Sequence, residues 1–291
     1  MKKSTKILLA AGLALVLAAG ALLAVLVVRH EKAQSARFAE LSGEVFRLQE
    51  ENRRLAETAG GAETARVLED LQARITRLEA QAVYAGADYA YLAVGNSITL
   101  HPANEVWPEA SGMAASEKEK DFVHRVAAGL SASKGTVGLQ AVYFYDWETG
   151  APDRAAKLEQ LDPYLDPRLR LITVQLGENV TDKTAFEADL EALIRYAAER
   201  APEARILVID NFFPDPEMTE MKKTAAGNTG AAFVSLAALQ GDASLRAGLG
   251  APVLDGAGNP HPIEHPDVAE HPGDEGMRRI AEAVLEVLPD E

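Results

Sequence analysis

The sequence predicts an α/β domain built on a parallel sheet covered on both faces, carried behind an apolar N-terminal segment and a coiled coil. Three observations support this expectation. From about residue 88 onward, short apolar runs alternate with amphipathic helical patterns. Those runs are almost continuously apolar, as strands buried on both faces of a sheet must be. Ahead of them lie an uncharged stretch and then a proline-free heptad pattern.

Lys2, Lys3 and Lys6 precede residues 7–28, an uninterrupted run of Ala, Leu, Val, Ile and Gly. As a helix it would extend about 33 Å, close to the roughly 30 Å of a bilayer's hydrocarbon core. The expectation for residues 1–30 is an uncleaved signal anchor, with a cytoplasmic N-terminus and the rest of the chain outside. Ala19-Gly20-Ala21 offers a small-residue cleavage site, but cutting there would leave Leu22 and the apolar residues up to Val28 on the mature end.

Residues 31–83 read as a coiled-coil stalk. Phe38, Val45 and Asn52 fall seven apart, and so do Leu41, Leu48 and Leu55, offset by three. Asparagine at an a position favours a parallel dimer in fixed register. Ala59-Gly60-Gly61-Ala62 interrupts the pattern, which resumes in a shifted frame at Leu68, Leu71, Ile75, Leu78 and Ala82. The other arrangement that fits is a single amphipathic helix packed on the following domain.

Residues 84–291 form the α/β domain. Strands are expected at 89–94, 137–145, 169–176, 205–209 and 232–234, and helices at 117–130, 155–161, 183–200, 217–226 and 274–288. Open parallel sheets bind ligands beyond the carboxyl ends of their strands. Ser97 follows the first strand directly, Gly177-Glu178-Asn179 follows the third, and His271 precedes the last helix. Three chemically competent groups thus converge on one edge.

The net charge of −15, from 44 acidic and 29 basic residues, argues against a nucleic-acid partner, which needs a concentrated basic face. The absence of cysteine excludes disulfides, thiolate catalysis and cysteine-ligated zinc.

Gly95-Asn96-Ser97-Ile98-Thr99 resembles the first block of the SGNH (GDSL-type) hydrolases. Gly112, in Ser111-Gly112-Met113, resembles the glycine of the second block, Gly177-Glu178-Asn179 the third, and His271-Pro272-Gly273 the last. The blocks occur in order over about residues 88–288. This resemblance implies a three-layer α/β/α sandwich with flavodoxin-like winding and serine esterase chemistry without metal or cofactor. It implies Ser97 as nucleophile, His271 as base, and an oxyanion hole from the Ser97 and Gly112 backbone N–H groups and the Asn179 amide. A serine hydroxyl needs such a base at neutral pH, and the oxyanion formed on an acyl carbon needs fixed donors.

Two positions depart from the family pattern. Asn96 stands where many members have aspartate. Val268 stands three residues before His271, where an orienting aspartate is usual. Asp267 is the first candidate for that role, a backbone carbonyl the second and Glu270 the third. Asp274 is placed to cap the last helix.

Several polar residues have competing readings. Ser97 also suits a simple turn, and Asn179-Val180-Thr181 is a glycosylation sequon. His101 is a rival base, but it adjoins Pro102 and reads as lining the mouth of the site. His124 lies on a helix and reads as structural. Trp107 and Trp147 could stack on a sugar or anchor loops. His261-Pro262-Ile263-Glu264-His265 matches an inverted zinc-peptidase string, but Pro262 and Pro266 oppose the helix such a site needs.

The function expected is a membrane-anchored serine esterase acting on O-acyl, chiefly O-acetyl, esters of envelope or extracellular carbohydrate. It would dimerise through the stalk. An acyltransferase using the same acyl-serine, or a non-catalytic envelope scaffold with a degenerate hydrolase domain, are the alternatives.

Overall fold

The computed structural model of the chain describes residues 40–41, 43–45, 47–49 and 62–289. The anchor expected at 7–28 lies outside the described residues, as do Phe38, Asn52 and Leu55 of the heptad seam. Among the described residues no helix is long and apolar enough to cross a membrane.

Five parallel strands form the sheet: β1 (Tyr89–Gly95), β2 (Val137–Tyr143), β3 (Leu169–Gln175), β4 (Arg205–Ile209) and β5 (Ala232–Val234). Their spatial order is β2-β1-β3-β4-β5, the flavodoxin-like winding. Successive side chains of a strand face opposite ways. Tyr91 and Ala93 of β1 therefore enter one core with Leu171 and Leu207, beneath Val123, Val126, Ile280 and Val284. Those last four come from α2 (Phe122–Lys134) and, at the C-terminal end of the chain, the final helix α7 (Asp274–Val287). Leu92 and Val94 enter the opposite core with Ile172 and Val174, beneath α4 (Phe186–Arg200) and α5 (Pro216–Thr229). The three-layer expectation holds in this region.

Local chemistry moved some boundaries. The helix expected from residue 117 starts at Phe122, because the Asp121 carboxylate accepts the His124 N–H and caps it there. The strand expected to reach residue 145 ends at Tyr143, and Tyr145–Glu148 forms a single helical turn, α3. A small antiparallel hairpin of β6 (Pro252–Leu254) and β7 (Pro260–Pro262), then a one-turn helix α6 (Pro266–Ala269), fill a stretch for which the sequence predicts no strand or helix.

The stalk expectation needs correction where it can be compared. Residues Ala62–Ala85 form one helix, α1, and a boundary at residue 83 would cut it. Its last turns belong to the domain: Ala80 and Tyr84 are buried in the core beside Leu92 and Leu169, and the Tyr84 hydroxyl donates to the Tyr164 carbonyl at 3.1 Å. The adjoining stripe of Leu78, Ala82 and Ala85 packs on Leu41 of the same chain. Arg74 pairs with Glu44 at 2.6 Å, and Gln49 donates to Glu79 at 3.0 Å. A seam expected to join two chains is, in its described part, occupied within one. A narrow apolar stripe demands a partner helix, and a helix of the same chain satisfies it as well as a second copy does.

Candidate active site

At the end of β1 the backbone turns too tightly for a side chain. A Cβ on Gly95 would lie 2.0 Å from Thr99 Oγ1 and 2.7 Å from the Gln175 carbonyl. The Asn96 N–H donates to that carbonyl at 3.2 Å, and the Asn96 carbonyl accepts from Thr99 and Leu100 at 3.0 and 2.9 Å. Ser97 stands on this turn, clear of the strand.

His271 arrives from the loop between α6 and α7. Its carbonyl accepts from Ala247 at 3.0 Å, its N–H donates to Val268 at 3.1 Å, and Gly273 donates to Leu245 at 2.9 Å. These bonds bring the ring to the serine, with Ser97 Oγ and His271 Nε2 2.8 Å apart. On the other side of the ring, Nδ1–H donates to the backbone carbonyl of Asp267 at 2.7 Å. A carbonyl only accepts, so Nδ1 holds the proton and Nε2 presents its lone pair to the hydroxyl. Burial pushes the His271 pKa below the usual imidazole value; the Asp267 carbonyl opposes this shift and the charge on His101 adds to it. The lowered pKa favours the neutral ring, the form that can accept a proton.

The orienting carboxylate expected at Asp267 is therefore corrected to the main chain of the same residue. The Asp267 side chain is 89% exposed, and its carboxylate lies 3.8 Å from His265 Nδ1. In a helical turn the carbonyls aim along the axis toward the C-terminus while side chains splay outward, and α6 ends just where His271 begins. Glu270 pairs with Arg246 instead. Asp274 opens α7, and its carboxylate accepts the Ser116 N–H at 2.8 Å and hydroxyl at 2.7 Å.

Two of the three expected oxyanion donors keep an N–H hydrogen that is not engaged elsewhere among the described residues. Among the described residues the Ser97 N–H has no acceptor. The Asn179 amide sits at the same edge and donates one Nδ2 hydrogen to Glu148 Oε2 at 2.7 Å, leaving its second hydrogen. Gly112 is the correction: its N–H donates to the Asp121 carboxylate at 3.1 Å, the group that also caps α2. Glycine is needed there for close approach, since a Cβ would lie 2.7 Å from the Ile98 carbonyl and 2.8 Å from Asp121 Cβ.

The remaining residues singled out from sequence fall into place. Trp107 and Trp147 are buried, so both act as packing anchors. His124 bonds to Asp121 at 2.8 Å. His101 bonds to the Pro102 carbonyl at 2.7 Å and lies edge-on to Tyr143, which stacks on Tyr145; this aromatic row stands beside Gly95, the register partner of Tyr143. His261 lies on β7 and bonds to Asp255 at 3.0 Å, whereas His265 caps α6, so the two do not share a helix face. They line a separate cleft of about 470 Å³ with Asn104, Glu105 and Ile263.

Glu148 went unnoticed in the sequence. It is fully buried, with Oε1 accepting from Asn96 Nδ2 at 3.1 Å and from the Gly177 N–H, and Oε2 from Asn179. The available signal was positional: Tyr145-Asp146-Trp147-Glu148 follows the second strand at the same carboxyl edge. Behind it lie Glu178, pushed up to about 8 by burial, and Lys222, which burial pushes down while the facing Glu178 charge opposes the shift.

No protein-family model matches the chain, and no curated protein matches it. Several solved structures are similar to it. One is an extracellular lipase from Streptomyces rimosus, 16% identical, covering 69% of this chain and 100% of that one at a TM-score of 0.40. Another is a family two carbohydrate esterase from Clostridium thermocellum, an active-site mutant in complex with a cello-oligosaccharide. It is 16% identical and covers 69% of this chain and 63% of that one, with a TM-score of 0.45. A third is a phospholipase A1 from Streptomyces albidoflavus, at 15% identity, 69% and 100% coverage and a TM-score of 0.42.

Proposed function

We propose that the chain is an SGNH-type serine esterase. The observation that carries this reading is the chain of contacts from Ser97 Oγ to His271 Nε2 at 2.8 Å and from Nδ1 to the Asp267 carbonyl at 2.7 Å. His271 takes the hydroxyl proton as Ser97 Oγ bonds to the acyl carbon. The Ser97 N–H and the Asn179 amide stabilise the resulting oxyanion. Collapse expels the alcohol, which takes the proton from Nε2, and water releases the acid by the same steps in reverse order.

In this proposal the substrates are O-acyl, chiefly O-acetyl, esters on envelope or extracellular carbohydrate. Residues 7–28 hold the enzyme to the membrane with the domain outside the cytoplasm; the lysines before that stretch and its apolar length support this. The test is labelling with a fluorophosphonate probe together with turnover of p-nitrophenyl acetate. Wild type labels and turns over, and Ser97→Ala does neither while keeping its thermal melt. A wild type that neither labels nor turns over any short ester would refute the reading.

A further inference from the structure

We propose that Glu148 is the positioning residue that holds the Asn179 amide as an oxyanion donor; this rests on the esterase reading above. A carboxylate accepts hydrogen bonds and donates none. Glu148 is fully buried and its two oxygens meet three N–H donors, from Asn96, Gly177 and Asn179. The Asn179 amide can therefore meet Glu148 only through Nδ2, and the carboxamide is fixed with its nitrogen end in the site. One hydrogen goes to Glu148, and the second is left for an oxyanion. Without an acceptor-only neighbour the amide could rotate by half a turn and present its oxygen, which would repel that charge.

Asn96 is locked by the same rule. Its Nδ2 faces Glu148, so its Oδ1 is free to accept the Ile98 N–H at 3.1 Å, closing the turn around Ser97. Glu148 is itself braced. Arg154, almost wholly buried, donates to the Trp147 carbonyl at 3.1 Å and the Glu148 carbonyl at 2.9 Å, pinning α3. Its other terminal nitrogen pairs with Asp189 of α4 at 3.1 Å. A rigid helix thus fixes a turn, the turn fixes a carboxylate, and the carboxylate fixes two amides on either side of the nucleophile. Buried polar networks of this kind specify one arrangement when every member is satisfied.

The test is a double-mutant cycle in the full chain, read by kcat and KM on p-nitrophenyl acetate. Glu148→Gln keeps size but sets one accepting oxygen and an NH2 that can only donate against three donors. It lowers kcat by about 10²–10³, the cost of losing one oxyanion donor, with KM little changed. Asn179→Ala costs a similar factor, and adding it to Glu148→Gln lowers kcat no further than Glu148→Gln alone, because the donor is already lost there. Glu148→Asp, shorter but still acceptor-only, retains more kcat than Glu148→Gln. If Glu148→Gln does not fold, the cycle is read with Glu148→Asp. Losses that multiply in the double variant, or a change confined to KM, overturn the proposal while leaving the esterase intact. A wild type inert to esters and to the fluorophosphonate probe overturns both.

Discussion

His271 Nδ1 lies 2.7 Å from the backbone carbonyl of Asp267, while the carboxylate of that same aspartate is 89% exposed to solvent. The residue touches the catalytic ring through its main chain alone. Asp267→Asn leaves the carbonyl where it is and should keep kcat within about tenfold of wild type, roughly 1.4 kcal/mol in the barrier. Loss of a true triad carboxylate costs about 10⁴ in the well-known serine protease case. His271→Ala should abolish turnover. Steady-state kcat for both variants decides the matter, and a loss of several orders of magnitude for Asp267→Asn would restore the carboxylate to the site.

The pH profile should carry the mark of a buried imidazole. Burial lowers the His271 pKa, so the neutral base persists to lower pH than a free histidine of pKa about 6.5 would allow. The acid limb of kcat/KM should therefore have its midpoint below that value, because this limb reports the free enzyme's base. The electrostatic influence of the nearby His101 adds to the lowering. His101→Gln should move the midpoint upward, and a pH series on both proteins checks the sign.

Gly112→Ala places a methyl group 2.7 Å from the Ile98 carbonyl and 2.8 Å from Asp121 Cβ, both closer than contact allows. Overpacking of this kind costs about 1–3 kcal/mol. Denaturant unfolding should show that loss in midpoint. A stability equal to wild type would mean that the loop carrying Gly112 yields freely.

Removal of residues 62–85 should damage the domain, contrary to what a detachable stalk would give. Ala80 and Tyr84 fill one core, and Tyr84 carries a hydrogen bond to Tyr164. A chain starting at residue 86 should melt at clearly lower temperature than one starting at 62, by circular dichroism. Equal melts would return the helix to the role of a spacer.

The legible parts of the sequence were those in which residue type and position coincide. Ser97 and Asn179 could be named because strands of unmistakable apolar texture end beside them where blocks of the SGNH pattern fall, whereas His271 was named from the last block alone, ahead of the final helix. The orienting group could be listed only as an alternative, because a carbonyl belongs to every residue and its aim depends on a one-turn helix too short to read. The Gly112 amide was misassigned because a cap for α2 competes for it, and that competition appears only when Asp121 is seen beside it. Glu148 lay beyond the recognised blocks, on a turn whose neighbours in space are far away in sequence. For the heptads, the period revealed a stripe but not which helix would cover it.

The way α1 enters the domain governs how a pull would be felt there. Tension on the chain ahead of residue 62 would travel along that helix into the packing around Tyr84 before reaching β1. Beyond it, β1 is hydrogen-bonded to β2 on one side and β3 on the other, so force along β1 would load both ladders in shear rather than unzip an edge. The turn holding Ser97 sits at the far end of that doubly gripped strand. Such tension would spend itself on the helix and the two ladders before it could distort the distance between the serine and its base.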